Sequence, residues 1–522
     1  MNRFSRRTFV LGALAATATT ATTATTTTAT AGAAAAPWQS ARAAVPFPFR
    51  LGVASGEPAP DSVVLWTRLA PTPLDADGQG GMPGADVAVE WQVSSTAAFA
   101  GLVASGTVTA RYADAHSVHA VAGGLAPDAE YYYRFRAQGH ISPVGRTRTA
   151  PAVNTVGRDL VMAFASCANF EAGYFTAYRR MADDHPDLIL HLGDYIYEGA
   201  GKPGHVRLHL GAEILSLADY RRRYAQYKSD PDLQAAHACA PWLVVPDDHD
   251  VEDDYAGTVR FDNIPPLTAA QWTARRTAAY RAYYENMPLR PGAAPVGNSI
   301  QLYRRVRWGT LATFHMLDTR QLRDGPACGG SWKACTDADL PARSMPGTAQ
   351  EAWLLDGLAQ HRGTWDVLGQ QVFFARRLDA SGAGNMDAWD GYRASRARIQ
   401  RGWVDRAVRN PLVLTGDVHT AWANDLKADY ADGRSATIGT ELVGTSITSR
   451  GDGTATTTIP NAATNPHLRY YSDRRGYVRT TITRAQVRAD FRGLGSVSTR
   501  GAAAKTLKSF AILDGRPGVR AL

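Results

Sequence analysis

The chain has 522 residues, of which 45% are hydrophobic and 20% are charged, as in ordinary globular proteins. Its 48 glycines and 28 prolines argue against a helical bundle, and its length favours two domains. The formal net charge is +8, but residues 1–44 hold four arginines and no acid, so removing them leaves +4. This mild, scattered charge does not indicate nucleic-acid binding.

The first 44 residues have the features of an export signal. Arg6 and Arg7 precede a modest apolar stretch, a Thr/Ala run follows, and residues 41–43 offer a small-x-small cleavage site. This order resembles a twin-arginine signal, which implies recognition by the twin-arginine export machinery, cleavage near Ala43-Ala44 and an extracellular protein. Threonines interrupt the apolar stretch before it reaches the length of a membrane-spanning helix, so no stable membrane anchor is expected.

Residues 45–150 are predicted to form an antiparallel β-sandwich. Short alternating runs at 62–66, 87–93 and 117–121 are separated by turns. Leu125-x-Pro127, followed by alternating tyrosines, resembles the tyrosine corner of fibronectin type III domains. Because no His, Asp or Cys cluster lies here, we interpret the segment as a packing or substrate-gating domain.

Residues 151–522 are predicted to form an α/β or α+β layered domain, because apolar runs alternate with helical stretches. Cys328 and Cys335 lie close together in a glycine-rich loop and form a plausible disulfide, whereas Cys239 is interpreted as a small buried residue. The arginine run 221–223 is expected to be a solvated helix face. The sequence does not decide whether a helix near residues 503–510 covers the site.

Four apolar runs in this domain end in polar residues. In layered sheets the ligand crevice lies beyond the carboxyl ends of the strands, so the four polar ends are expected to meet at one rim. Any one run is weak evidence, and the specific signal is the set of four. The runs and their polar ends are 160–165 with 166–169, 187–192 with 193–198, 242–246 with 247–250, and 412–415 with 416–419.

The residue types at these ends favour metal binding. Carboxylates and phenolates are hard oxygen donors, and imidazole and thiolate extend the choice to zinc and iron. Asp194 can bridge two cations, and Tyr197 can bring a phenolate to the same metal three residues later. Two neighbouring metals clamp the attacking and leaving oxygens, which is what phosphoryl transfer requires.

These motifs resemble those of the PhoD-type alkaline phosphatases. The likeness is carried by Ser-Cys-Ala-Asn at 166–169, Gly-Asp-Tyr-Ile-Tyr-Glu at 193–198, Asp-Asp-His-Asp-Val-Glu-Asp-Asp-Tyr-Ala-Gly at 247–257 and Gly-Asp-Val-His at 416–419. It extends over essentially the whole mature chain. The resemblance implies a calcineurin-like metallophosphatase sandwich of two mixed sheets flanked by helices. It also implies one ferric ion, two calcium ions and hydrolysis of phosphomonoesters and phosphodiesters.

The resemblance also assigns the iron ligands. Cys167, Asp194, Tyr197 and His419 match the ferric ligands, and Asp417 matches either this cluster or its calcium side. Read without the resemblance, Cys167 and Tyr197 are ordinary packing residues. In contrast, buried acids at strand ends rarely persist unpaired, which favours a site at Asp194 and Asp417.

Further metal positions follow from the same motifs. Asp248 stands where related metallophosphatases have the Asn of Gly-Asn-His-Glu, and His249 follows it, although the pair could instead be a helix cap and a core histidine. Asp253 stands where the family is expected to have Asn, so its calcium role stays open. Asp390, in Trp-Asp-Gly-Tyr, is a further candidate calcium ligand.

The expected reaction is attack of a metal-activated water on phosphorus. Asp248, His249 and Arg320 are the catalytic candidates, with His249 at the leaving group or the phosphate and Arg320 as one of many arginines able to neutralise phosphoryl oxygens. Alternatives are a phosphodiesterase with phospholipase D-like activity, and a calcium-dependent protein that binds phosphorylated polymers without turnover. The partners expected are phosphate esters and the export machinery, and the protein is expected to be monomeric.

Overall fold

A computed structural model describes residues 45–261 and 266–522. The export signal predicted for residues 1–44 lies outside the described residues. Within the described ranges, every helix is too short or too polar to span a membrane.

The described chain is rich in β-structure. The strands are, in order, β1 (Val53–Gly56), β2 (Ser62–Arg68), β3 (Val87–Ser94), β4 (Leu102–Ala110), β5 (Ser117–Gly123), β6 (Glu130–Ala137), β7 (His140–Ile141), β8 (Gly145–Arg148), β9 (Leu160–Ala165), β10 (Leu188–His191), β11 (Pro241–Val244), β12 (Arg304–Trp308), β13 (Ala312–Met316), β14 (Trp332–Lys333), β15 (Trp365–Gly369), β16 (Gly384–Asn385), β17 (Pro411–Thr415), β18 (Ala421–Lys427), β19 (Thr437–Val443), β20 (Leu468–Ser472), β21 (Gly476–Ile482), β22 (Gln486–Leu494), β23 (Ala504–Leu513) and β24 (Arg516–Ala521).

Within the part of the chain that the structure describes, six α-helices connect or flank these strands. They are α1 (Thr176–Asp183), α2 (Leu217–Lys228), α3 (Pro231–Cys239), α4 (Ala269–Asn286), α5 (Thr348–Leu358) and α6 (Arg393–Asp405). Side chains cap several N-termini: Ser216 accepts a hydrogen bond from the backbone N–H of Asp219 at the start of α2, and Thr268 does the same for Gln271 at the start of α4.

Two large mixed sheets form the body of the chain. The first has the order β24-β23-β22-β21-β9-β10-β11-β1-β2-β5, with β9, β10, β11 and β1 parallel. The second has the order β12-β13-β15-β17-β19-β18-β20, with β13, β15, β17 and β19 parallel. The predicted strands before the four polar ends are β9, β10 and β11 in the first sheet and β17 in the second.

Apolar residues on both faces of these strands explain the layers. In β9, Leu160, Met162 and Phe164 join a core shared with the second sheet, whereas Ala163 and Ala165 join a core with α1, α2, α3 and α4. A third core packs α5 and α6 on the outer face of the second sheet. The parallel strands are therefore buried on both faces, which is why they read as continuous apolar runs.

The N-terminal segment shares its sheets with the rest of the chain. Strands β3, β4, β6, β7 and β8 form a separate antiparallel sheet, but β1, β2 and β5 belong to the first large sheet. Side chains of both groups fill one core, including Val63, Val89 and Tyr133. The hydroxyl of Tyr131 accepts a hydrogen bond from the backbone N–H of Ala126, a contact of the tyrosine-corner kind. The domain boundary at residue 150 stays a prediction.

Three expectations outside the site have clear outcomes. The predicted disulfide between Cys328 and Cys335 is present. The segment near residues 503–510 lies in strand β23 and is no helix. The solvated face expected for residues 221–223 is wrong, because Arg221 and Arg223 are 4% and 1% exposed. Buried acceptors account for this: Arg221 pairs with Glu285, and Arg223 donates to backbone carbonyls.

Close packing of the strand ends requires glycine before two of the site aspartates. Gly193 has φ +104°, and a Cβ there would lie 2.3 Å from the Cβ of Asp247 and 2.7 Å from its backbone nitrogen. At Gly416, a Cβ would lie 2.7 Å from the Oγ of Ser166. The glycine of each Gly-Asp motif thus lets neighbouring strand ends approach, and this approach brings their polar residues together.

Replacing Gly193 by alanine is expected to lower the free energy of unfolding by at least about 2 kcal/mol, since the methyl group meets backbone atoms at a φ that favours glycine. Gly199→Ala is the matched control, because a Cβ at Gly199 meets no described atom within 4 Å. Chemical denaturation of both variants provides the measurement. Equal stability of the two would show that the approach at Gly193 is not tight.

Candidate metal centre

The four predicted iron ligands lie together. One ligand atom each from Cys167, Asp194 and His419 forms a group in which all atoms are within 4.8 Å of one another. The Tyr197 hydroxyl lies 3.0 Å from Oδ2 of Asp194 and 3.1 Å from Nε2 of His419. Strands from both large sheets therefore deliver thiol, carboxylate, phenol and imidazole groups to one point.

Two further groups of possible ligands are linked to the first through shared residues. Asp194, Asp247 and Asp248 form one group, and Asp248, His249 and Asp253 form the other, again within 4.8 Å. Asp194 and Asp248 each belong to two groups, so the three groups are continuous. Such sharing is what closely spaced cations with bridging carboxylates require.

Four residues at the predicted metal centre adopt an unusual backbone conformation. Cys167, Asp194, Asp417 and His419 have φ values of 60°, 53°, 61° and 60°, in the left-handed region that residues other than glycine seldom occupy. Each such residue costs about 1–3 kcal/mol, and the surrounding structure must hold it in place. Backbone bonds do so: the N–H of Cys167 donates to the carbonyl of Gly193, and that of Ala168 to the carbonyl of Asp194.

Several buried polar atoms at the centre make no hydrogen bond within residues 45–261 and 266–522. They are Oδ1 of Asp194, Oδ2 of Asp247, Oδ1 of Asp248 and Nδ1 of His419. An orphaned buried acceptor costs about 1–3 kcal/mol or more if it is charged, unless a ligand satisfies it. The donor set and these free lone pairs fit metal cations, with hard oxygens for calcium and a mixed sulfur, nitrogen and oxygen set for a transition metal.

Arg320 lies at the middle of the acidic residues. Its guanidinium donates to Asp247 and, at 2.9 and 3.0 Å, to both oxygens of Asp387. Asp248, Asp417 and Asp254 lie 3.3, 3.6 and 4.0 Å from it. One fully buried arginine therefore faces five aspartates, and Arg323 adds a second cation through Asp387.

This crowding shows in the pKa values. Burial raises the pKa of Asp417 to about 7, while Arg320 opposes the shift. Burial likewise raises the pKa of Asp253 to about 6 and that of Asp254 to about 9. Protons or bound cations must therefore supply positive charge that the arginines do not provide.

His249 is held by an acid on one side. Its Nδ1 lies 2.8 Å from Oε2 of Glu198, whose other oxygen accepts from the backbone N–H of Asp253 at 2.9 Å. Burial opposes protonation of His249, but Glu198, Asp194 and Asp248 raise its pKa well above the usual value. The His249 ring packs on the Tyr197 ring with centroids 4.1 Å apart. Its Nε2 lies 3.5 Å from Oδ1 of Asp253.

Buried side chains behind the centre hold the ligands in place. The hydroxyl of Ser449 donates to the Tyr197 hydroxyl at 2.7 Å and also reaches the carbonyl of Cys167 at 2.8 Å. The guanidinium of Arg223 donates to the carbonyl of Tyr197, and that of Arg475 to the carbonyl of His419. These supports come from segments far apart in the sequence.

A cleft of about 540 Å³ opens in front of the acidic groups. The carboxylates, His249 and His419 line this cleft. Three aromatic and two basic side chains also line it, namely Trp332, Trp422, Tyr471, Arg377 and Arg450.

Two predicted site residues are placed differently from expectation. Asp390 does not line the cleft as described: its carboxylate binds Arg396 at 2.8 Å and the backbone N–H of Arg377 at 2.8 Å. This pairing leaves Asp390 a structural role. Arg320 is close to the centre, but its charge is already committed to Asp247 and Asp387, which disfavours a direct contact with phosphate.

Four residues of the site were not predicted. Asp247 and Asp254 stood inside the 247–257 motif but were not selected, whereas Glu198 ended the Gly-Asp-Tyr-Ile-Tyr-Glu motif. Asp387 lies just before the Trp-Asp-Gly-Tyr motif, and no sequence signal distinguished it from Asp390. Their shared property is pairing with Arg320 or His249, which only the fold establishes.

The comparisons with known proteins agree with this site. A family model described as PhoD-like phosphatase matches residues 162–491, and one described as PhoD-like phosphatase, N-terminal domain, matches residues 32–151. The chain belongs to the PhoD-like phosphatase family. Alkaline phosphatase D of Bacillus subtilis (strain 168) is 45% identical over 534 residues, covering 99% of this chain and 89% of that protein.

A solved structure described as "Structure of PhoD" also matches. It has a TM-score of 0.87 and 44% identity, over 91% of this chain and 92% of that chain. The predicted resemblance to PhoD-type alkaline phosphatases is confirmed, and as a member of this PhoD-like family the chain is a phosphoric ester hydrolase.

Removing the buried cation is expected to destabilise this PhoD-like centre strongly. Arg320→Gln leaves buried aspartates uncompensated and should lower the free energy of unfolding by about 3–5 kcal/mol. Arg409→Gln is the control, because Arg409 is 65% exposed and its ion pair with Asp514 is worth about 0–1 kcal/mol. Denaturant unfolding in the presence of a chelator measures both, and similar losses would contradict the central role of Arg320.

Proposed function

We propose that the chain is an exported, metal-dependent alkaline phosphatase that hydrolyses phosphomonoesters and also phosphodiesters. The observation that carries the proposal is the set of unsatisfied carboxylate and imidazole atoms, with a thiol and a phenol, around one cleft. Family membership supplies the ester hydrolysis, and the site supports its dependence on metal.

The fold supports a finer architecture as part of this proposal. Two mixed sheets face each other across a shared core, with helices on both outer faces, as in a calcineurin-like sandwich. Residues 45–150 are proposed to be a fibronectin type III-like domain, supported by the Tyr131–Ala126 contact. That domain gives its strands β1, β2 and β5 to the large sheet.

The ligand sets suggest which ions the site holds. Cys167, Asp194, Tyr197 and His419 are proposed to hold Fe³⁺, and Asp248, Asp253 and Asp417, with Asp247, Asp254 and Asp387 nearby, to hold two Ca²⁺. When bound, these ions supply an activated water and positive charge for the phosphoryl oxygens. The phenol of Tyr197 and the thiol of Cys167 bind a metal ion only after they lose their protons. Burial raises the pKa of both groups well above the usual values, so the bound cation has to drive this deprotonation.

His249 is proposed to hold the proton that the leaving group needs. Glu198 fixes its Nδ1, so the free Nε2 can donate to a leaving or phosphoryl oxygen in the cleft. The side chain is 21% exposed, which leaves it accessible to substrate. Asp248 holds the backbone N–H of Asp254 at 2.7 Å and so orders the loop beside it.

The volume of the cleft favours activity on diesters as well. Beyond the acidic groups, the space extends to Trp332, Trp422 and Tyr471, which offer apolar surfaces to the part of the substrate beyond phosphorus. A second ester group can occupy this region without meeting the buried carboxylates.

Export is proposed from the N-terminal signal and from one structural feature. The disulfide between Cys328 and Cys335 suits an oxidising compartment outside the cytoplasm. The twin-arginine machinery is the proposed route, followed by removal of residues 1–44, and a monomer is the proposed state.

Asp194→Ala is expected to reduce hydrolysis of p-nitrophenyl phosphate by at least about 100-fold, because this carboxylate serves two of the ligand groups. Asp432→Asn, in an exposed loop, is the control and should retain activity. Dialysis against a chelator should abolish wild-type activity, and adding iron and calcium should restore it. Full activity in the chelated protein, or no turnover of any phosphate ester after metal loading, would overturn the proposal.

The identity of the transition metal can be tested by colour. Purified metal-loaded protein is expected to show a visible charge-transfer band from phenolate or thiolate on Fe³⁺. Tyr197→Phe and Cys167→Ser should each weaken or shift the band, whereas Tyr112→Phe, at an exposed site, should not. Elemental analysis gives the metal content, and a colourless, iron-free active enzyme would exclude this ligand assignment.

A further inference from the structure

Arg377, one of two arginines that line the cleft, forms no ion pair among the described residues, whereas Arg320 faces five aspartates. Arg377 lines the cleft together with Asp194, Asp248, Asp417 and His419. Its Nε is buried and has no hydrogen-bond partner among the described residues, and its guanidinium forms no ion pair within them. The Arg377 side chain is half-buried at the wall of the cleft, so a donor that no described residue engages there is available to a ligand.

Aromatic rings hold this guanidinium in place. Its central carbon lies 4.6 Å from the ring centroid of Phe373, 5.0 Å from that of Trp332 and 5.6 Å from that of Trp422. Cation–π contacts of this kind orient an arginine without using its hydrogen-bond donors. The backbone is also fixed, since the N–H of Arg377 donates to Asp390.

The disulfide lies next to one of these three rings, that of Trp332. Trp332 lies between Cys328 and Cys335, in a loop closed by their bond, and is 41% exposed. Its strand β14 pairs with β16, which leads to Asp387 at the acidic cluster. The loop therefore connects Trp332, through β14 and β16, to the acidic residues of the cleft.

We propose that Arg377 is the arginine that binds the phosphoryl oxygens of the substrate, held ready by Phe373, Trp332 and Trp422. This inference rests on the proposed phosphoesterase function and names its substrate-binding cation. Arg320 is less suited, because its Nε and Nη1 donate to Asp247 and Asp387 and its Nη2 faces Asp248 and Asp417, whereas no ion pair within the described residues engages Arg377. A planar guanidinium matches two phosphate oxygens at once.

Monoesters should depend on this contact more than diesters do. A phosphomonoester carries up to two negative charges near neutral pH, whereas a diester carries one, so the loss of a cation weakens monoester binding more. Arg450, also at the cleft, is exposed and not enclosed by described aromatic rings, and so provides a direct comparison within the same site.

The test compares Arg377→Gln, Arg377→Lys and Arg450→Gln with wild type, using metal-loaded protein. Arg377→Gln is expected to raise the inhibition constant of inorganic phosphate about 10- to 100-fold. Arg377→Lys should give a smaller rise, because lysine keeps the positive charge but lacks the planar guanidinium that donates to two oxygens at once. The ratio of kcat/KM for p-nitrophenyl phosphate to that for bis(p-nitrophenyl) phosphate should fall. Isothermal titration with inorganic phosphate gives the same affinity change without turnover.

The control is Arg484→Gln, an exposed residue in the β21–β22 turn at the opposite end of the sheet, which should bind phosphate like wild type. If wild type is active but Arg377→Gln and Arg377→Lys bind phosphate normally, this inference fails while the proposed function stands. A loss confined to Arg450→Gln would transfer the role to Arg450. An inactive wild type with full metal content would instead refute the proposed function.

Discussion

The structure depends on the concentration of negative charge around Arg320. Five aspartates from three chain segments lie within 4.0 Å of one buried guanidinium. In a region of low dielectric constant such carboxylates repel one another strongly, and a single arginine offsets only part of that repulsion. The remainder must be met by protons or by cations. A site that is costly without positive charge is, for the same reason, a site with high affinity for it.

The backbone conformation of four site residues is also energetically unfavourable, and it too brings polar side chains together. Cys167, Asp194, Asp417 and His419 all lie in the left-handed region, each within four residues of the end of a strand. In a strand that continued in extended form, Asp417 and His419 would lie on one face but about 6–7 Å apart along it, because each residue advances the chain by about 3.3 Å. The reversal at each strand end turns the side chains toward one another. Packing between the sheets holds this strain in place, since Gly193 and Gly416 admit neighbouring strands at less than normal side-chain distance.

The sequence predicted what depends on local pattern. Apolar runs identified β9, β10, β11 and β17, and the polar residues after them were brought together as expected. Ion pairs and hydrogen bonds between residues far apart in the chain could not be predicted from these local patterns. Asp387 and Asp390 lie three residues apart in similar surroundings, yet one faces Arg320 and the other faces Arg396. Arg221 and Arg223 looked like a solvated run and are buried, because their acceptors are Glu285 and main-chain carbonyls far away in the chain.

The described cysteines differ in pairing and burial. Cys328 and Cys335 are close in sequence and bonded, whereas Cys167 is fully buried and free. Burial raises the pKa of the Cys167 thiol, so little reactive thiolate forms unless a cation stabilises it. A metal ion that stabilises the thiolate also occupies its lone pairs, so loading the site before the chain meets an oxidising environment would protect this ligand. Under the proposed export of the folded protein, metal binding would precede oxidation, which suits the ligand role proposed for Cys167.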